Sequence, residues 1–86
     1  MKFEFDPAKS AANREKHGID FVQAQAIWGD TDYIEIPLRT ADEARFMVVG
    51  MIEGTAWSGI ITYRDESIRI ISIRRSRKEE IALYES

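Results

Sequence analysis

The chain has 86 residues, 44% of them hydrophobic and 31% charged, which describes one small soluble domain with its own core rather than a disordered segment. It has no cysteine and one histidine, His17, so disulfide frameworks, thiol nucleophiles, cysteine-ligated metals and multi-histidine metal sites within the chain are excluded. The net charge of −3 argues against a generic nucleic-acid binder; no signal peptide or membrane span is visible, and a cytoplasmic protein without metal or cofactor is expected.

In chain order, Phe3-Glu4-Phe5 alternates and predicts a short strand with both rings on one face. Asp6-Pro7 reads as an N-cap followed by proline at the first helical position, where its missing N–H costs nothing. This helix runs from Pro7 to about His17, with Ala8, Ala11 and Ala12 permitting close packing, and ends at Gly18. Asp20 and Gln23 form a capping-box-like pair at the start of a second helix, whose apolar residues Phe21, Ala24, Ile27 and Trp28 recur at three- and four-residue spacing.

Four strands follow. Tyr33 to Ile36 is the first, stopped at Pro37, and Arg45 to Ile52 is the second. Glu53-Gly54-Thr55 is a hairpin turn leading to Trp57–Tyr63, and Asp65-Glu66-Ser67 is a turn leading to Ile68–Arg74. Ser76 to Glu79 has the Ser-x-x-Glu pattern of a capping box and opens a last short helix with Ile81 and Tyr84 on one face. The order β-α-α-β-β-β-β-α predicts an α+β fold, a small antiparallel sheet of four or five strands flanked by helices.

Charge is unevenly spread. Residues 64–78 hold Arg64, Arg69, Arg74, Arg75, Arg77 and Lys78 against Asp65 and Glu66, a local +4 in a chain of −3. Arginine suits bidentate phosphate contact, and a strand holds its guanidinium groups at fixed spacing. Strict alternation places Arg69, Ile71, Ile73 and Arg75 on one face, and Ile68, Ile70, Ser72 and Arg74 on the other. The plainer reading is solvated arginines paired with Glu66, Glu79 or Glu80. A second group, Lys9, Asn13, Lys16 and His17, follows one helical face and is either a groove lining or an ordinary solvent face. His17 lies in the last helical turn, where the dipole favours a cation, and imidazole is the side chain suited to proton transfer near neutrality. Trp28, Trp57, Tyr33 and Tyr63 are candidates for base stacking, Tyr63 the foremost because it adjoins the basic segment. The glycines form no phosphate loop, and Asp30, Asp32 and Glu35 are weak evidence for a metal site.

Two segments together carry a resemblance. Asp6-Pro7-x-Lys9-x-x-x-Asn13-x-x-Lys16-His17-Gly18-x-x-Phe21, with Arg69-Ile70-Ile71-Ser72-x-Arg74-Arg75 and the helix of Glu79 and Tyr84, is similar to the BrnT toxin family. Arg45-Phe46, Gly50 and Thr62-x-Arg64 fall at matching places, so the likeness runs along nearly the whole chain. It departs at Ile73, where the family usually has alanine, and at Ile61, where it often has tyrosine or histidine.

The resemblance implies a RelE-like fold and a ribonuclease toxin of a type II toxin–antitoxin system that blocks translation. It also implies a DNA-binding BrnA-type antitoxin as partner, operator DNA bound through the complex, and room for a homodimer within it. Metal-independent cleavage by the ribose 2′-OH needs groups that stabilise the phosphorane and move protons. His17 is then the proton-transfer candidate, with Lys9 as phosphate ligand and Arg64, Arg74 and Arg75 as charge stabilisers. Arg69, Arg77, Lys78, Lys16 and Tyr63 would contact the RNA. The competing reading is a non-catalytic module that docks a protein partner or operator DNA through its basic strip.

Overall fold

A computed structural model describes all residues, Met1–Ser86. Its strands are β1 (Lys2–Glu4), β2 (Ile34–Leu38), β3 (Arg45–Ile52), β4 (Thr55–Arg64) and β5 (Ser67–Arg75); its α-helices are α1 (Pro7–His17) and α2 (Lys78–Glu85), and a 3₁₀ helix spans Gln23–Gly29. The sheet order is β1-β5-β4-β3-β2. The meander β2 to β5 is antiparallel, as its short turns require, and Glu53, Gly54 and Asp65 take the positive φ of tight hairpins.

The expected antiparallel sheet is corrected at one edge: β1 pairs with β5 in parallel, Phe3 opposite Ile68. No tight turn joins these two strands, so nothing local dictates their direction. The packing of Phe3 edge-on against Trp28, with ring centroids 4.9 Å apart, is part of what holds β1 there.

The start of α1 is as expected. Asp6 accepts a 2.9 Å bond from the Ala8 amide, and Gly18 closes the helix in the left-handed region at φ 79°. The packing face is not the alanine one: Ala8, Ala11 and Ala12 are exposed, and the buried residues of the helix are Ser10 and Asn13. The second helix is 3₁₀ rather than α. Asp20 and Gln23 do form their reciprocal pair, with bonds of 2.7 and 2.9 Å. Phe21, Ala24 and Ile27 are buried in a row three residues apart, the period of a helix with three residues per turn.

Pro37 does not stop β2 but sits inside it, which an edge strand tolerates. The last helix begins one residue later than expected. Arg77 takes the cap position, and its amide donates to Glu80 Oε1 at 2.8 Å while its carbonyl accepts from the Glu80 amide at 3.0 Å.

Strand faces depend on one irregularity. Ile61 pairs with Ile70 and Ile60 with Ser72, so Ile71 is an extra, unpaired residue, a β-bulge. Strict alternation therefore fails across β5: Ile68 and Ile70 face the core before the bulge, and Ile73 does so after it. The core lies between this face and the layer of α1 and the 3₁₀ helix, and joins Val48, Trp57, Ile61, Ile70 and Ile73 to Phe21 and Ile27. Helix α2 lies on the opposite face, over Ser58.

Candidate nucleic-acid interface

The basic segment does not form one patch. Trp57 is paired with Arg75 at one end of the β4–β5 ladder, and Arg64 with Ser67 at the other. Seven residue steps along β4 separate the two ends, about 23 Å of strand. Arg64 and Arg75 therefore cannot reach one phosphate. Tyr63 and Arg69 lie toward the Arg64 end.

At that end the cations have carboxylate partners. Glu43 lies 3.8 Å from Arg45 and 3.7 Å from Arg64, and Glu4 lies 3.5 Å from Arg69, its neighbour across the sheet. The Tyr63 hydroxyl donates to Glu35, and its ring meets Phe46 edge-on at 5.4 Å. Burial, with that hydrogen bond to Glu35, pushes the phenol up to about 12.

At the other end, Arg74 is held by α2. Its two terminal nitrogens donate to the two oxygens of Glu80 at 2.8 and 2.7 Å. Ser58 Oγ and the Arg77 amide donate to the same carboxylate, and Ser76 Oγ lies 2.7 Å from Ser58 Oγ. The Arg74 hydrogen bonds, reinforced by those from Arg77 and Ser58, hold the Glu80 carboxyl at about 2 against the opposing effect of burial. They also raise Arg74. The paired-arginine reading holds with its expected partner only for Arg74 and Glu80; Arg64 and Arg69 are paired instead with Glu43 and Glu4, and neither Glu66 nor Glu79 forms an ion pair.

Arg75 differs. Its pairing with Trp57 puts it on the α1 side of the sheet, with the guanidinium carbon 5.8 Å from the Trp57 ring centre. It makes no ion pair, and neither do Arg77, Lys78, Lys9, Lys16 or His17.

The supposed cationic stripe of α1 divides in two. Ser10 and Asn13, three residues apart, are the buried residues of the helix, and His17, one turn beyond Asn13, is half-buried. Lys9 and Lys16 remain exposed on the flank. Ser10 Oγ accepts from the Phe21 amide at 2.9 Å. Asn13 Nδ2 donates to the Ile19 carbonyl at 2.8 Å, and Asn13 Oδ1 accepts from the Ile73 amide at 3.2 Å. Beyond Arg69 the outer edge of β5 has no strand beside it, because β1 ends at Glu4, and at Ile73 the Asn13 carboxamide takes the place of one. This bond sets α1, with His17 one turn beyond, against the β5 end that carries Arg75.

The stacking candidates are mostly structural. Trp57 is 9% exposed, and Trp28 packs between Phe3 and Tyr33. Asp30 is a tie rather than a metal ligand: it accepts from the amides of Asp32 and Met51 and from the Tyr84 hydroxyl at 2.6 Å. The Tyr84 bond leads in holding the Asp30 carboxyl below the usual range, and Asp30 in turn pushes Tyr84 up to about 12. Ile61 is fully buried and Ile73 nearly so, and neither reaches the surface.

Residues 5–80 match the model of a family described as the ribonuclease toxin, BrnT, of type II toxin–antitoxin systems. The chain belongs to the BrnT family. No curated protein matched it. The BrnT match spans the Asp6 cap, the Asn13–Ile73 junction and the Arg74–Glu80 network. Tyr84, which ties α2 to Asp30, falls beyond it. Membership makes this a toxin of the ribonuclease class, with an antitoxin and RNA as its counterparts. Sequence reasoning missed Glu43 and Glu4 as partners of the arginines in the basic segment. The polar i, i+3, i+7 row of α1, set among alanines, was the one legible sign that this helix docks through hydrogen bonds.

Proposed function

We propose that the chain cleaves RNA without a metal, at the end of the sheet where His17 and Arg75 share a face. The observation that carries this reading is Arg75: it is fixed over Trp57, has no carboxylate partner, and lies on the same side of the sheet as the only imidazole. The chain has no enclosed pocket, and its substrate would lie on an open surface.

In the proposed reaction the ribose 2′-oxygen attacks the adjacent phosphorus and its proton passes to a base. The P–O5′ bond breaks, and the leaving oxygen takes up a proton. The products are a 2′,3′-cyclic phosphate and a free 5′-hydroxyl. Arg75 stabilises the charge of the phosphorane, His17 transfers a proton, and Lys9 is a second cation for the phosphate. Arg74, oriented by Glu80, supports the strand end that presents Arg75. Arg77, Lys78 and Lys16 contact flanking phosphates; Arg64, Arg69 and Tyr63 stand outside this site. The same reading includes a RelE-like fold, a cytoplasmic location, and a BrnA-type DNA-binding antitoxin that carries the complex to operator DNA.

The test is incubation of antitoxin-free protein with single-stranded RNA in EDTA. Cleavage with cyclic-phosphate ends is expected, and His17→Ala or Arg75→Ala should each lower the rate by roughly 10²–10³. Intact RNA with well-folded protein would sink the enzyme reading and favour a non-catalytic docking module.

A further inference from the structure

The structure assigns Asn13 as a positioning residue of the RNA-cleaving site, joining the turn that carries His17 to the strand end that carries Arg75. This inference rests on the ribonuclease reading above.

Asn13 is 8% exposed and uses both ends of its carboxamide. The Nδ2 bond to the Ile19 carbonyl closes the segment Asn13–Ile19, which contains His17 and the left-handed Gly18. The Oδ1 bond to the Ile73 amide pins that closed segment to β5, two residues before Arg75 and on the same face of the sheet. One side chain therefore fixes the relative placement of two groups that come from chain positions 58 residues apart. The job needs a donor and an acceptor on one short rigid group. Aspartate accepts from Ile73 but cannot donate to Ile19, and alanine does neither. Ser10 also holds α1, but by accepting from the Phe21 amide and with no bond to β5.

Catalysis depends on such placement more than folding does. A displacement of about 1 Å in a reacting group can lower a rate by about 10²-fold while ground-state binding by the surrounding cations persists. His17 is the only histidine, so its ring signals in a carbon–proton spectrum are read without ambiguity.

The experiment compares full-length wild type, Asn13→Asp, Asn13→Ala and Ser10→Ala, using a short single-stranded RNA and nuclear magnetic resonance. In Asn13→Asp, kcat should fall by about 10²-fold with KM within about threefold. The His17 ring signals should shift while the Ile73 amide stays protected from exchange. Asn13→Ala should also release the Ile73 amide. Ser10→Ala, which loses a buried bond of the same helix, should lose stability but keep its kcat. Folded Asn13→Asp with wild-type kcat and unmoved His17 signals would overturn the assignment. If both Asn13 variants fail to fold, the wild type still decides: slow exchange of the Asn13 carboxamide protons is expected, and fast exchange overturns it. A wild type that leaves RNA intact sinks the ribonuclease reading instead, a result distinct from unmoved His17 signals in the variants.

Discussion

Arg74 and Arg75 are adjacent and chemically identical, yet their roles diverge. Arg74 points toward α2 and is bound by both oxygens of Glu80; Arg75 points the other way, over Trp57. The Arg74 side chain is 30% exposed and that of Glu80 only 10%, so solvent screens their pair much less than it does the exposed pairs. A carboxyl held at about 2 in the folded state and near 4.3 in the unfolded chain contributes stability above the unfolded value. That contribution, on the order of 2–3 kcal/mol, is present at pH 7 and is lost as pH falls through the folded value near 2. Urea unfolding should find Glu80→Gln less stable than wild type at pH 7 by about that amount, with the gap narrowing from about pH 4 toward pH 2. A gap that stays constant with pH would show that the bonds to Glu80 do not depend on its charge.

At the scale of elements, helix and hairpin boundaries follow local chemistry, and how the elements pack does not. Asp6, Gly18 and the Glu53-Gly54 turn act through bonds and φ angles within a few residues, and all three are legible in the chain. The 3₁₀ helix was hidden because three- and four-residue spacings coexist in Phe21, Ala24, Ile27 and Trp28. The bulge at Ile71 was hidden because nothing in Ile70-Ile71-Ser72 distinguishes an extra residue from a paired one. Its effect on packing appears at Gly59, where an added Cβ would stand 2.5 Å from Ile73 Cδ1. Ile73 fills the space that Gly59 leaves open. Gly59→Ala should therefore destabilise the fold by about 1–3 kcal/mol, and Ile73→Ala in the same chain should recover part of the loss. Denaturant unfolding of the four combinations checks this, and an additive cycle would mean that the two side chains do not compete.

For the whole molecule, net charge and even segment charge were poor guides to the interface. The +4 segment is drawn out along a strand of about 23 Å, and carboxylates from outside it neutralise three of its cations. Arg75, Arg77 and Lys78 remain without an ion pair, as do Lys9 and Lys16 of α1. For a single strand, each neutralised phosphate adds about 0.7 to the slope of log affinity against log salt. Removing Arg75 or Lys78 should lower that slope by about 0.7, whereas removing Arg69 should leave it nearly unchanged. Fluorescence titrations of a short RNA between low and moderate salt measure it directly, and an equal effect from Arg69 would place the RNA along the whole sheet.

Composition, caps, turns and apolar periodicity are local quantities, and by themselves they determined an α+β fold, nearly all of its elements, and the exclusion of thiol chemistry and of multi-histidine metal sites within the chain. Three things were left to the tertiary structure: the parallel seating of β1, the faces of β5 beyond the bulge, and the sorting of cations into paired and unpaired. Each depends on partners distant in the chain: Phe3 with Trp28, Ile61 with Ile70, Glu80 with Ser58, Asn13 with Ile73. A residue's neighbours along the chain set its conformation, but whether its charge or amide is free or occupied is settled only by what the fold brings against it.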